Sequence, residues 1–198
     1  MIIDTSKTKV ICVGRNYVEH IRELNNEIPS NPVIFIKPNT AISKSLKLIE
    51  GRELHYECEI VLAFDENTNI FAVGLGLDVT DRSLQSDLKA KKLPWELAKS
   101  FDGSAVVSDF VAINKLDIPH LSFKAYKNDI LIQHGNYTLM MYKPQEIIDF
   151  LKASNISICK NDLLMTGTPK GVGIINKGDI FKLELYCKDK LILENEFK

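Results

Sequence analysis

Two long apolar runs flanking a short polar stretch constrain this chain more than any other feature. Residues 54–64 read LHYECEIVLAF and residues 70–77 read IFAVGLGL, with five mostly polar residues between them. The β-branched and aromatic content and the turn-length gap predict a hairpin of two long strands. Shorter strands are predicted at 9–13, ending at Gly14, and at 33–36, closed by Lys37 and Pro38. Two more are predicted at 180–186 and 191–197, around a turn at Asp189 and Lys190. Helices are predicted from Asn16 or Tyr17 to Asn26, over 80–92 with Leu84 and Leu88 one turn apart, over 94–100 and over 144–154. Strands follow strands and helices are short. The expected class is therefore α+β and β-rich, a single domain over residues 1–198, and not a doubly wound α/β fold.

Composition narrows the function. Twenty-five Lys and Arg against 26 Asp and Glu give a net charge of −1. Such a chain has no general attraction for phosphate backbones or anionic lipid, so neither nucleic acid nor membrane is an expected partner. No stretch approaches the roughly 20 apolar residues of a membrane span. Asp4 interrupts the apolar start, so no signal peptide is read. Cys12, Cys58, Cys159 and Cys187 form no CxxC pair and lie in apolar or strand-like runs, as reduced thiols would. Together these features predict a cytoplasmic protein.

The segment His55-Tyr56-Glu57-Cys58-Glu59 carries the most chemistry. On a strand His55, Glu57 and Glu59 share one face, and the two carboxylates lie roughly 6–7 Å apart. The plainer reading is a strand with its polar face in water. Asp78 ends the second apolar run, where a carboxylate either caps a helix or binds something. As a third carboxylate beside Glu57 and Glu59 it would complete a hard-cation site for Mg²⁺, Mn²⁺ or Ca²⁺. His20 and Glu23, at i and i+3, are either a surface pair or a carboxylate-oriented general base. An isolated lysine such as Lys99 is ordinarily a solvated charge. Residues 167–173 (GTPKGVG) are no Walker A, because Gly171 follows Lys170. They form either a plain turn or a loop whose amides and Thr168 hydroxyl bind a carboxylate.

Taken in order, VGRNY (13–17) with His20 and Glu23, FIKP (35–38), HYECE (55–59), LDVTDR (77–82) with Gln85, LPW (93–95) with KSF (99–101), and TGTP (166–169) resemble the fumarylacetoacetate hydrolase family. The likeness is greatest to its short, single-domain acylpyruvase and oxaloacetate decarboxylase members. The resemblance implies a mixed β-sheet roll or sandwich, with residues 14–30 as a lid-like helical segment and a homodimer as the assembly. It implies a cation, Mg²⁺ first, on Glu57, Glu59 and Asp78. It further implies that Lys99 stabilises an enolate, that His20 with Glu23 activates water, and that Arg82, Gln85 and Thr168 hold a small 2-oxo acid. The implied reaction is cleavage of the C–C bond of acylpyruvates through a pyruvate enolate. Oxaloacetate decarboxylation or keto–enol tautomerisation at the same site is the alternative, and a non-catalytic metal or metabolite module the remote one.

Overall fold

The computed structural model describes residues 1–198, and the predicted hairpin lies at its centre. Strands Cys58–Phe64 and Ile70–Asp78 pair antiparallel, with Cys58 opposite Leu77 and Ala63 opposite Ala72. Asp65 builds the turn by accepting the N–H groups of Asn67 and Asn69, both at 2.8 Å. Leu163–Met165 lies antiparallel to Cys58–Phe64 and parallel to Val10–Gly14, which in turn pairs with Val33–Lys37. Beyond Ile70–Asp78 come Ala105–Val107 and Ile42–Ser43, with Val111–Ala112 against the same long strand. The result is a mixed eight-stranded sheet.

A second, four-stranded sheet runs Ile130–Asn136, Leu121–Lys127, Phe181–Cys187, Lys190–Phe197. Its hairpins turn at Asn128 with Asp129 and at Lys188 with Asp189, four residues with positive φ that match the twist of the strands they join. Cys58, Ile60, Leu62, Phe64, Val73, Leu75 and Leu77 face Phe123, Phe181, Leu183 and Leu185 of this sheet in the larger core. Val61, Ala63 and Ala72 on the opposite face pack with Val10, Cys12, Ala105 and Met165 in a smaller core. Both faces of the central hairpin are therefore buried, which explains its near-continuous apolar sequence. The architecture is a β-rich sandwich with few helices, as expected.

Helices α1 (Val18–Glu23), α2 (Arg82–Ala90) and α3 (Pro144–Ala153) are shorter than the sequence pattern predicts. α1 stops before Asn25, which turns left-handed at φ 51°. Thr80 and Asp81 stay extended and pair with Leu54–Tyr56, because Asp81 caps α2 by accepting Leu84 N–H at 3.1 Å. The predicted helix over 94–100 is reduced to the 3₁₀ turn Glu96–Ala98. All four cysteines are free, Cys12 and Cys58 buried and Cys159 exposed. No helix is long and apolar enough to cross a membrane.

Candidate active site

The predicted strand over 54–64 is broken at Glu57, and the site forms at the break. Leu54–Tyr56 belongs to a small sheet with Thr80–Asp81 and Gly173–Ile174, whereas Cys58–Phe64 belongs to the large one. Glu57 carbonyl accepts Asp78 N–H at 2.8 Å, so the two residues meet where the hairpin changes sheets. Glu59 continues the face of Val61 and Ala63, which points into the smaller core and not into water. The plainer reading of a solvated polar face is thus excluded: Glu57, Glu59 and Asp78 are 7%, 1% and 2% exposed. Nor does Asp78 cap a helix, since Asp81 performs that task. One oxygen from each of the three carboxylates lies within 4.8 Å of the others. His55 does not join them; it sits in the small sheet with its Nε2 3.1 Å from Glu53.

Cations are distributed unequally over this cluster. Lys99 Nζ, buried and not solvated as a lone lysine would be, lies 2.9 Å from Glu57 Oε2 and 2.8 Å from Asp78 Oδ2. Arg82 donates to Glu57 Oε1 at 2.7 Å and to Gln85 Oε1 at 2.8 Å. Burial alone would raise the Glu57 carboxyl, but Lys99 and Arg82 outweigh it and hold it well below the usual carboxylate range. Burial likewise opposes the Lys99 charge, yet Asp78 and Glu57 keep its ammonium above its ordinary value. Glu59 has no cation of its own and accepts Gly167 N–H at 2.7 Å. Burial, then Asp78 and Glu57, push its carboxyl well above the usual range.

A divalent cation fits this arrangement. Lys37 Nζ lies 2.9 Å from Asp78 Oδ1, but without hydrogen-bond alignment, and that oxygen is buried with no hydrogen-bond partner. Lys37, Lys99 and Arg82 already face Asp78 and Glu57, so Glu59, buried without an ion pair, is the carboxylate that leaves the cluster able to take a further cation. The donors are all oxygens, because burial drives the nearby Cys12 thiol further from its thiolate. That set suits Mg²⁺, Mn²⁺ or Ca²⁺ and not a soft metal.

The remaining predicted residues surround the cluster. His20 is buried, with its Nδ1 3.2 Å from Glu23 Oε2. Both oxygens of Glu23 accept Gly171 N–H, at 3.0 and 3.2 Å, tying α1 to the loop at 167–173. Thr168 hydroxyl donates to Cys58 carbonyl at 2.9 Å and accepts from Gln133 Nε2 at 2.8 Å, so its proton is engaged within the protein. Three buried residues had no role in the sequence reading. Gln133 bridges Cys58 N–H, Thr168 and Pro169 carbonyl. Asn16 joins the approach to α1 to Tyr142 and to Thr166 carbonyl. Lys37 enters the sequence reading as a strand terminator and as part of FIKP, with no role of its own, although its alternation with buried Phe35 marks an inward position.

Comparison with known proteins agrees with this geometry. Residues 9–197 match the family described as fumarylacetoacetate (FAA) hydrolase, C-terminal. The human mitochondrial oxaloacetate tautomerase FAHD1 is 38% identical over 185 residues, covering 86% of this chain and 83% of that protein. A candidate fumarylacetoacetate isomerase/hydrolase from Oleispira antarctica superposes with a TM-score of 0.90 at 34% identity, over 96% of this chain and 92% of its own. A fumarylpyruvate hydrolase from Pseudomonas aeruginosa, solved with Mn²⁺ and pyruvate, gives 0.82 at 26% identity, over 90% and 85%. The cytoplasmic expectation is corrected here. The animal and yeast relatives are mitochondrial proteins, so composition and an unremarkable N-terminus do not indicate the cytoplasm for a chain of this kind.

Proposed function

The chain belongs to the fumarylacetoacetate hydrolase family, and from that membership we propose that it is a divalent-metal-dependent enzyme that interconverts the keto and enol forms of oxaloacetate. The observation that carries this reading is the buried ammonium of Lys99 set against a cluster of three buried carboxylates, one of which, Glu59, has no ion pair, a site arranged for a cation and for charge developing on a 2-oxo acid. Glu57, Glu59 and Asp78 would hold the cation, Mg²⁺ or Mn²⁺, which when bound supplies Lewis-acid polarisation of a keto oxygen. Tautomerisation moves one proton from C3 to the C2 oxygen, so the protein must accept one proton, deliver one, and stabilise the enolate between. If His20 Nδ1–H faces Glu23, as their 3.2 Å contact favours, its Nε2 carries the lone pair that takes the C3 proton. Lys99 stabilises the charge on the C2 oxygen more in the transition state than in the ground state. Arg82 Nε, a buried donor without a partner, is available to a substrate carboxylate. Gln85 fixes the guanidinium, and Thr168 sets the loop whose amides face the site.

Acylpyruvate C–C hydrolysis is a second reading, favoured by the same dyad, since a base that removes a proton from carbon can also activate water. Decarboxylation needs only the stabilised enolate. α1 acts as a cover pinned by Glu23 to Gly171 and by Glu19 to Lys170 at 3.0 Å. A homodimer is part of the proposal, because Ile130 and Leu131 on a sheet edge and Leu139 nearby are exposed. Light scattering would show twice 22.4 kDa, and the monomer mass would refute it. The reaction is tested with acetylpyruvate, fumarylpyruvate, and keto- and enol-oxaloacetate, each with Mg²⁺ and with chelator. Metal-dependent conversion of enol-oxaloacetate supports the reading; turnover of none of the four overturns it.

A further inference from the structure

Lys37 is the largest fully buried side chain that the proposed chemistry leaves without a task. It ends the strand Val33–Lys37, and its neighbour Ile36 points outward, so alternation drives Lys37 inward with Phe35. An ammonium has three protons, and those of Lys37 go to the carbonyls of Lys99, of Ser104 at 2.9 Å and of Val79 at 3.3 Å. Ser104 hydroxyl also donates to Lys99 carbonyl at 2.8 Å, and Val79 N–H to Ser104 carbonyl at 2.8 Å. One side chain therefore knots the end of the Asp78 strand to the loop that carries Lys99. With its protons taken, it presses its charge on Asp78 Oδ1 at 2.9 Å without satisfying that oxygen as a hydrogen-bond acceptor.

We infer that Lys37 is a positioning residue of the site, which fixes Asp78 and the Lys99 loop so that one Asp78 oxygen meets Lys99, the other is held against Lys37, and the carboxylate stays turned toward Glu57 and Glu59. The inference rests on the proposed cation site. A bare counter-charge would serve any nearby carboxylate and needs no three-carbonyl seat. Such a seat serves to keep an ammonium, and what it touches, in one place. Opposite signs separate the two roles. Removing a counter-charge beside a ligand carboxylate lessens repulsion of the incoming cation and tightens binding. Removing a positioning group lets the carboxylate turn and weakens binding.

The test is Mn²⁺ affinity by titration calorimetry on the full chain, comparing wild type with Lys37→Met, which keeps the stem and loses the ammonium. Outer-shell substitutions typically cost about 10–100-fold in metal affinity, and a rise in Kd of that size is the expected result. Unchanged or tighter Mn²⁺ binding by a folded Lys37→Met overturns the assignment, even if its melting temperature falls. Absence of Mn²⁺ binding by wild type refutes the cation site itself, which is a separate result. Should Lys37→Met not fold, Lys37→Gln is measured in its place with the same two outcomes. Failure of both to fold would make Lys37 a support of the core and end the positioning role.

Discussion

Replacing Glu59 by Gln should stabilise the protein in the absence of divalent cations and abolish its response to them. Glu59 shares a buried site with two other carboxylates and has Gly167 N–H as its polar partner. Two unit charges 4.8 Å apart repel by about 3.5 kcal/mol at an effective dielectric of 20, and Lys99 offsets part of this. Gln keeps the shape and the acceptor for Gly167, so a net gain of about 1–3 kcal/mol is expected where Glu59 would be charged. In a chain of this size that raises Tm by roughly 2–10 °C. The pH dependence has a definite sign. Burial, Asp78 and Glu57 raise the folded-state pKa of Glu59 above its unfolded value, so its contribution is most favourable below the unfolded pKa. It is lost as pH climbs toward the raised one. The depressed Glu57 pKa acts in the opposite sense in both proteins and largely cancels in the difference. Melting curves in EDTA across this range should therefore show wild type falling relative to the variant. Mg²⁺ at about 1,000 times its Kd should reverse the order, since it adds about 4.1 kcal/mol to the protein that binds it. A variant less stable than wild type in EDTA at alkaline pH, or equally stabilised by Mg²⁺, would refute the reasoning.

Four other substitutions test separate parts of the account. His20→Ala should cut acylpyruvate hydrolysis and tautomerisation by about 10²–10⁴-fold while leaving much of any oxaloacetate decarboxylation; Lys99→Ala should depress all three, and equal loss of all three in His20→Ala would make the dyad a positioning element. Gly167→Ala should cost about 2–4 kcal/mol by urea titration, because φ is 94° and the new Cβ would lie 2.7 Å from Asn16 Cβ and 3.0 Å from Val13 carbonyl. Gln133→Leu should cost about 1–3 kcal/mol for each buried group left unpaired, Cys58 N–H foremost, and a neutral result in the same titration would show that water replaces it.

The parts of this fold that were legible in the sequence are those where local pattern and tertiary role agree. The central hairpin carries its own strands in two near-continuous apolar runs and its own turn in Asp65. The C-terminal hairpin does so too. Residues 121–136 carry no such local signal, because their strands mix Lys124, Lys127, Gln133 and His134 with apolar positions, and the burial that makes them strands comes from the opposite sheet. The three carboxylates were found because two share a strand face and the third closes the neighbouring run. Their environment was not legible: alternation says which residues share a face, but not whether that face meets water or a second core. Gln133, Asn16 and Lys37 act through contacts 35 or more residues distant in sequence, as in Gln133 to Thr168, Lys37 to Val79 or Asn16 to Tyr142, and nothing local marks them except the inward register of Lys37.

The central claim is that this site stabilises the enolate of a 2-oxo acid. Oxalate is a planar dianion with the shape and charge of pyruvate enolate, whereas pyruvate itself resembles the ground state. Calorimetric titration of both into the Mg²⁺-loaded protein, repeated with Lys99→Ala, measures the preference directly. The account predicts that oxalate binds at least ~100-fold more tightly than pyruvate, and that Lys99→Ala removes most of the difference. Equal affinities for the two ligands, or an oxalate preference that survives without Lys99, would contradict it.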